Sequence, residues 1–155
     1  MSEAQTIKVK NRLGELMRQP GGRSVVDALR GAEHRVDKNR DTFLKALDEA
    51  IGRLEAAGAQ GEPSAQATVL YAAANDMIAM AGLVGFEALD EVAHGLCDLI
   101  DVMRAEGTWS DQAVRVHVDS VTLLRGLNPN DEIAREKVLD GLRKVWTRFG
   151  VEPRG

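Results

Sequence analysis

Aromatic side chains make up only 4% of this chain, cysteine occurs once, proline four times, and neither sign of charge dominates. Each scarcity excludes something. With few aromatics, core volume falls to Leu, Val, Ala, Ile and Met, a composition that favours helix over sheet. A lone cysteine, Cys97, cannot close an internal disulfide. A net charge of −4 with acids and bases interspersed supplies no basic field for phosphates, so nucleic acid is not an expected partner. No charged-then-apolar leader and no long apolar span is read, so no membrane association is expected and the expected location is the cytoplasm. The 155 residues suit one principal domain.

Helical periodicity is present almost throughout, without a credible alternating strand, which predicts an all-α protein. A short amphipathic segment spans Gln5 to Arg18, with Ile7, Leu13, Leu16 and Met17 apolar, and the "QPGG" of Gln19 to Gly22 stops it. From Ser24 the stripe Val25, Val26, Leu29, Ala32, Val36 continues into Phe43, Leu44, Leu47, Ile51, Leu54. "DKNRD" at Asp37 to Asp41 interrupts it, giving one long helix with a wet turn or two helices with Asp41 capping the second. "AGAQGEP", Ala57 to Pro63, reads as a loop, and Glu62 or Ser64 opens the next helix with Pro63 in its first turn.

"GLVGF" ends or bends that helix, and Phe86 to Arg104 follows with Leu89, Val92, Ala93, Leu96, Leu99, Ile100 and Met103 inward, closed by Gly107. Ser110, or Thr108 with Asp111, caps a helix to Leu124. Asn128, Pro129, Asp131 and Glu132 open a last one to about Phe149. The expected organisation is an appendage in residues 1–22 and a helical bundle in residues 23–155. Its architecture is an antiparallel four-helix bundle with one or two additional N-terminal helices.

The helix around "YAAANDMIAMAGLVGF", Tyr71 to Phe86, holds one charged residue, Asp76, in a chain that is 28% charged. At about 100° per residue, Val69, Leu70, Ala73, Met77, Met80, Ala81 and Val84 form an ordinary buried stripe. The opposite surface is Thr68, Tyr71, Ala72, Asn75, Ile78, Ala79 and Gly82, where a bundle helix normally carries Lys, Glu, Arg or Gln. A face this bare is covered by the N-terminal helix of the same chain or by another molecule, and the outward position of a bundle helix favours a docking surface.

"ANDMIAMAGLVGFEALDEVAHGLCDLID" resembles the signature region of histidine-phosphotransfer (Hpt) domains, approximately His-x-x-Lys-Gly-Ser-Ala-x-x-x-Gly followed by a Leu-rich helix. Ala81, Gly85, Phe86, Leu89 and "LDEVAHGLCDLID" set the register, and the resemblance covers about Ala65 to Met103. It implies a four-helix bundle of a bacterial two-component phosphorelay, in which an exposed histidine takes a phosphoryl group from a receiver-domain aspartate.

In that register the phosphoacceptor histidine falls on Asn75, the lysine on Ile78, the glycine on Ala79 and the serine on Met80. Phosphoryl transfer needs a nucleophilic lone pair and a cation for the equatorial oxygens. The Asn75 amide nitrogen is delocalised and Ile78 is neutral, so the expectation is a non-enzymatic pseudo-Hpt module that keeps the docking face without the chemistry.

Three histidines are candidate substitutes. His94 sits at the edge of the apolar stripe beside Leu96 and Cys97; His117 sits among Val114, Val116, Val118 and Val121, expected half-buried; His34 lies in the charged run "GAEHRVDKNRD". None is followed by the required Lys and Gly. "EVAH", Glu91 to His94, matches one Glu-x-x-His unit of di-iron bundles without a second copy, and His94 with Cys97 gives at most two metal ligands. Neither "QPGG" nor "GLVG" has the strand and lysine of a phosphate loop. No cofactor and no metal is expected. The expected partner is a receiver domain or histidine kinase; the alternatives are phosphotransfer through an unusual histidine and a homodimer built on the bare face.

Overall fold

The computed structural model describes residues 24–59, 63–128 and 130–152, together with Gly14, Gly21 and Gly22. The described residues are helical, with no strand among them: α1 (Val25–Lys38), α2 (Arg40–Ala59), α3 (Pro63–Val84), α4 (Glu87–Glu106), α5 (Asp111–Gly126) and α6 (Glu132–Arg148). Apart from Gly14, the segment expected to form a helix from Gln5 to Arg18 lies outside the described residues.

The chain divides into two compact units, Met1–Asp37 and Lys38–Gly155. In the first unit, Ser24 Oγ accepts from the Asp27 amide and donates to its carboxylate, a side-chain cap that starts α1. No residue of α1 is buried, and Val25, Val26 and Leu29 are exposed.

In the second unit α2 packs against α3 and α5, α4 packs against α3 and α5, and α6 lies on α4 and α5. The result is a helical bundle. Its core draws Leu47, Ile51 and Leu54 from α2, Leu70 and Met77 from α3, Leu89, Leu96 and Ile100 from α4, Val114 and Val121 from α5, and Leu142 and Trp146 from α6. All seven α4 positions expected to point inward are buried.

Helix ends follow local chemistry. Ser110 Oγ accepts from the Ala113 amide at 3.2 Å and opens α5. Asp131, not Asn128, caps α6 by accepting from the Ala134 amide at 3.0 Å, while Asn128 spends its side-chain oxygen on the Asn130 amide. The interrupted stripe at Asp37 to Asp41 resolves into two helices. Asn39 supplies the first carbonyl of α2, to the Phe43 amide, and Asp41 sits within the first turn as a favourable charge rather than as the cap. α2 also runs on to Ala59, through the start of the expected loop, because Gln66 Nε2 donates to the Ala57 carbonyl at 2.8 Å and ties that last turn to α3.

The α3–α4 hairpin matters most for the site. Only Gly85 and Phe86 separate the helices. Gly85 takes φ 79°, a left-handed conformation that a side chain disfavours, and the Phe86 amide bonds to the Ala81 carbonyl at 2.9 Å. The chain therefore reverses in two residues, and α4 returns antiparallel alongside α3. Arg40 Nη2 donates to the Val84 carbonyl at 2.9 Å, satisfying one of the orphan acceptors at the end of α3.

A candidate docking face centred on Asn75

The buried side of α3 is Gln66, Ala67, Leu70, Ala73, Ala74, Met77, Ala81 and Val84. Two residues expected in the buried stripe are not there: Val69 is 48% exposed and Met80 is half-buried. Ala74 and Gln66 are buried instead. The physical reason is the lack of charge on α3: without a polar stripe to mark its outer side, small shifts in how α2 and α4 flank it decide which apolar residues face water. α3 is also long and apolar enough to cross a membrane, by length and composition alone, a property the sequence reading did not recognise.

Of the seven expected face residues, Thr68, Ala72, Asn75, Ala79 and Gly82 are exposed, and Tyr71 and Ile78 are half-buried. They form one surface on the second unit. Leu83, 42% exposed, and Val69, which helical periodicity alone places in the core, extend it. Among the described residues, no atom beyond the adjoining backbone of its own helix lies within 4 Å of where a Cβ on Gly82 would stand, so their packing does not require glycine there.

Side-chain contacts orient the surface. Tyr71 Oη donates to Asp101 at 3.5 Å and Arg104 Nη2 donates to Thr68 Oγ1 at 3.1 Å, so this part of the face leans towards α4. On the other flank Arg53 of α2 pairs with Asp76 at 2.7 Å. The single charge on α3 is thus neutralised beside the face. Asn75 Nδ2 donates to the Tyr71 carbonyl at 3.1 Å, one turn back along its own helix. An amide held this way offers hydrogen bonding and no nucleophile.

The two contacts to α4 also give its register. Both helices rise about 1.5 Å per residue in opposite directions. Thr68 opposite Arg104 and Tyr71 opposite Asp101 therefore place Asn75 level with Cys97 and Asp98, Ile78 level with His94, and Gly82 level with Asp90. A row of acids at Asp90, Asp98 and Asp101, interrupted by His94, runs beside the bare face, while Glu87 lines the groove between α4 and α6 with Glu91 and Arg135. The sequence reading did not single out this row, although its i, i+3, i+4 spacing was visible on α4. The Asp101 carboxylate is the first cause that raises the Tyr71 hydroxyl above its usual pKa of 10, with Cys97, partial burial and Asp98 adding to it.

The three histidines occupy different environments. His34 is exposed on α1. His94 is half-buried, its Nδ1 bonded to the Asp90 carbonyl at 3.0 Å and 3.5 Å from the Asp90 carboxylate. His117 is fully buried rather than half-buried. Its Nδ1 donates to the Ala113 carbonyl at 2.7 Å and its Nε2 accepts from the Trp146 indole at 2.6 Å. Trp146 from α6 closes over a site that the valines around His117, read along α5 alone, leave half open. Cys97 is buried, as a small hydrophobe among core residues.

Among the described residues no group of three or more His, Cys, Asp or Glu side chains is arranged to hold a metal ion. No protein-family model, no curated protein and no solved structure matches this chain.

Proposed function

We propose that this protein is a non-catalytic signalling module of the Hpt type, a four-helix bundle of α2 to α5 that docks a receiver domain through α3 and so titrates or redirects a phosphorelay in the cytoplasm. The observation that carries the reading is the exposed, almost chargeless face of α3 with Asn75 at the position where the resemblance calls for the phosphoacceptor. The closed packing of α2, α3, α4 and α5, with α3 and α4 joined by a two-residue turn, supports the same assignment.

The surroundings favour binding over transfer. His117 is sealed under Trp146, beyond the reach of a partner. His94 stands beside Asp90, whose charge repels an incoming phosphoryl group, and the level position on α3 is Ile78, which supplies no cation. Desolvating the face provides the driving force, at about 25 cal/mol per Å² of apolar surface before association costs.

The test is direct binding of purified receiver domains encoded by the same genome, with histidine kinase domains in parallel. Binding by a receiver that is abolished by Ala79→Arg and by Ile78→Asp is the expected result. Binding left unchanged by both substitutions, or binding by kinase domains alone, overturns the choice of a receiver on this face. Sedimentation of the protein alone addresses the remaining occupant, a second copy.

A further inference from the structure

We infer that the receiver domain docked on the Asn75 face presents a row of lysines or arginines to α4, so that apolar contact on α3 and ion pairing along α4 act side by side. This rests on the docking reading and specifies the chemistry of the partner that reading requires.

Charge placement carries the argument. α4 holds six carboxylates and one arginine, a net of −5, while the whole chain is only −4. The negative field is therefore concentrated on one helix. Glu91 is turned away from the face, bonded by Arg143 of α6 through both of its oxygens. The row that runs level with the face from Gly82 to Tyr71 is formed by Asp90 beside His94, by Asp98, and by Asp101, which accepts from Tyr71; the lone α4 cation, Arg104, sits at its far end on Thr68.

A partner that covers α3 must strip water from this row. Removing water from carboxylates without supplying cations costs more than the neighbouring apolar contact returns. Anionic lipid headgroups face the same repulsion. A second copy that brings α4 over α4 sets acid against acid. A basic edge answers the row, and opposite fields raise the association rate before contact is made.

The experiment uses the full chain and the receiver domain found to bind it. Association and dissociation rates are measured from low to high NaCl for wild type, for Asp90→Asn/Asp98→Asn/Asp101→Asn, and for Ala79→Arg. Circular dichroism confirms that each variant keeps its helices. With wild type, association slows about ten-fold or more between low and high salt; the triple variant associates about five-fold more slowly at low salt, with a flattened salt dependence and little change in dissociation.

If Ala79→Arg abolishes binding but the triple variant and wild type share the same rates and salt dependence, the basic edge is refuted and the docking reading stands. If no receiver binds, the docking reading fails and takes this inference with it. If sedimentation shows that the wild-type face is occupied by a second copy, the partner assigned here is wrong.

Discussion

The indole Nε1 of Trp146 donates to Nε2 of His117 at 2.6 Å with both side chains removed from water, joining α6 to α5. Because Nε2 accepts, the proton resides on Nδ1, which donates to Ala113. Protonating the imidazole would leave a buried cation and break the indole bond.

Burial pushes the His117 pKa down to about 4, against a smaller opposing effect of the Ala113 carbonyl. The unfolded chain takes up this proton near pH 6.5 and the native one refuses it until about pH 4, so the unfolded state binds more protons within that window. The stabilisation is complete above pH 6.5 and is lost as pH falls from 6.5 through 4, amounting to about 3 kcal/mol. Urea unfolding across that range should show the slope, and His117→Gln should flatten it. An equal slope in the variant would assign the dependence to other groups.

Two helical glycines should respond in opposite directions. A Cβ on Gly95 of α4 would stand inside the Trp146 ring, so Gly95→Ala should destabilise by about 1–3 kcal/mol or more. Among the described residues a Cβ on Gly82 meets nothing beyond its own helix backbone, so Gly82→Ala should stabilise by about 0.5–1 kcal/mol through helix propensity and should weaken the proposed docking of a receiver. Denaturation midpoints at constant m-value decide both. A stabilising Gly95→Ala would mean that Trp146 does not approach α4 so closely.

Asn75→His with Ile78→Lys and Ala79→Gly should create phosphoryl acceptance from a cognate receiver, because Asn75 and Ala79 are exposed and Ile78 is half-buried at the edge of the core, from which a lysine stem can carry its ammonium to water. Acid-labile label on the triple variant and none on wild type is the expected outcome. A folded triple variant that stays unlabelled would reduce the Hpt resemblance to a generic likeness between helical bundles.

Tyr71 is the one tyrosine in the chain, so phenolate absorbance reports it alone. Its titration should lie above the ordinary value of 10, and Asp101→Asn should lower it because the neighbouring negative charge that most disfavours the phenolate is removed. An unchanged titration in the variant would contradict the register in which Asp101 faces Tyr71.

The helical class, the ends of most helices and the unusual α3 were legible in the sequence, because caps, glycines and apolar spacing act over one or two turns. Ser110, Gly85 and Gly107 do their work within a few residues of where they stand. The extension of α2 to Ala59 was not legible, since its last turn is held by Gln66 from the next helix.

For the face itself, sequence alone determined that one helix carries a single charge, Asp76; that Asn75 occupies a phosphoacceptor position is the proposal drawn from the Hpt resemblance. Tertiary structure decided the rest. A helix apolar on every side carries no internal mark of which side faces water, so the exposure of Val69 and the burial of Ala74 depend on where α2 and α4 lie. The acidic row beside Asn75 likewise exists only because a two-residue turn at Gly85 returns α4 in one register. Charges far apart along the chain become neighbours of the face when the hairpin closes.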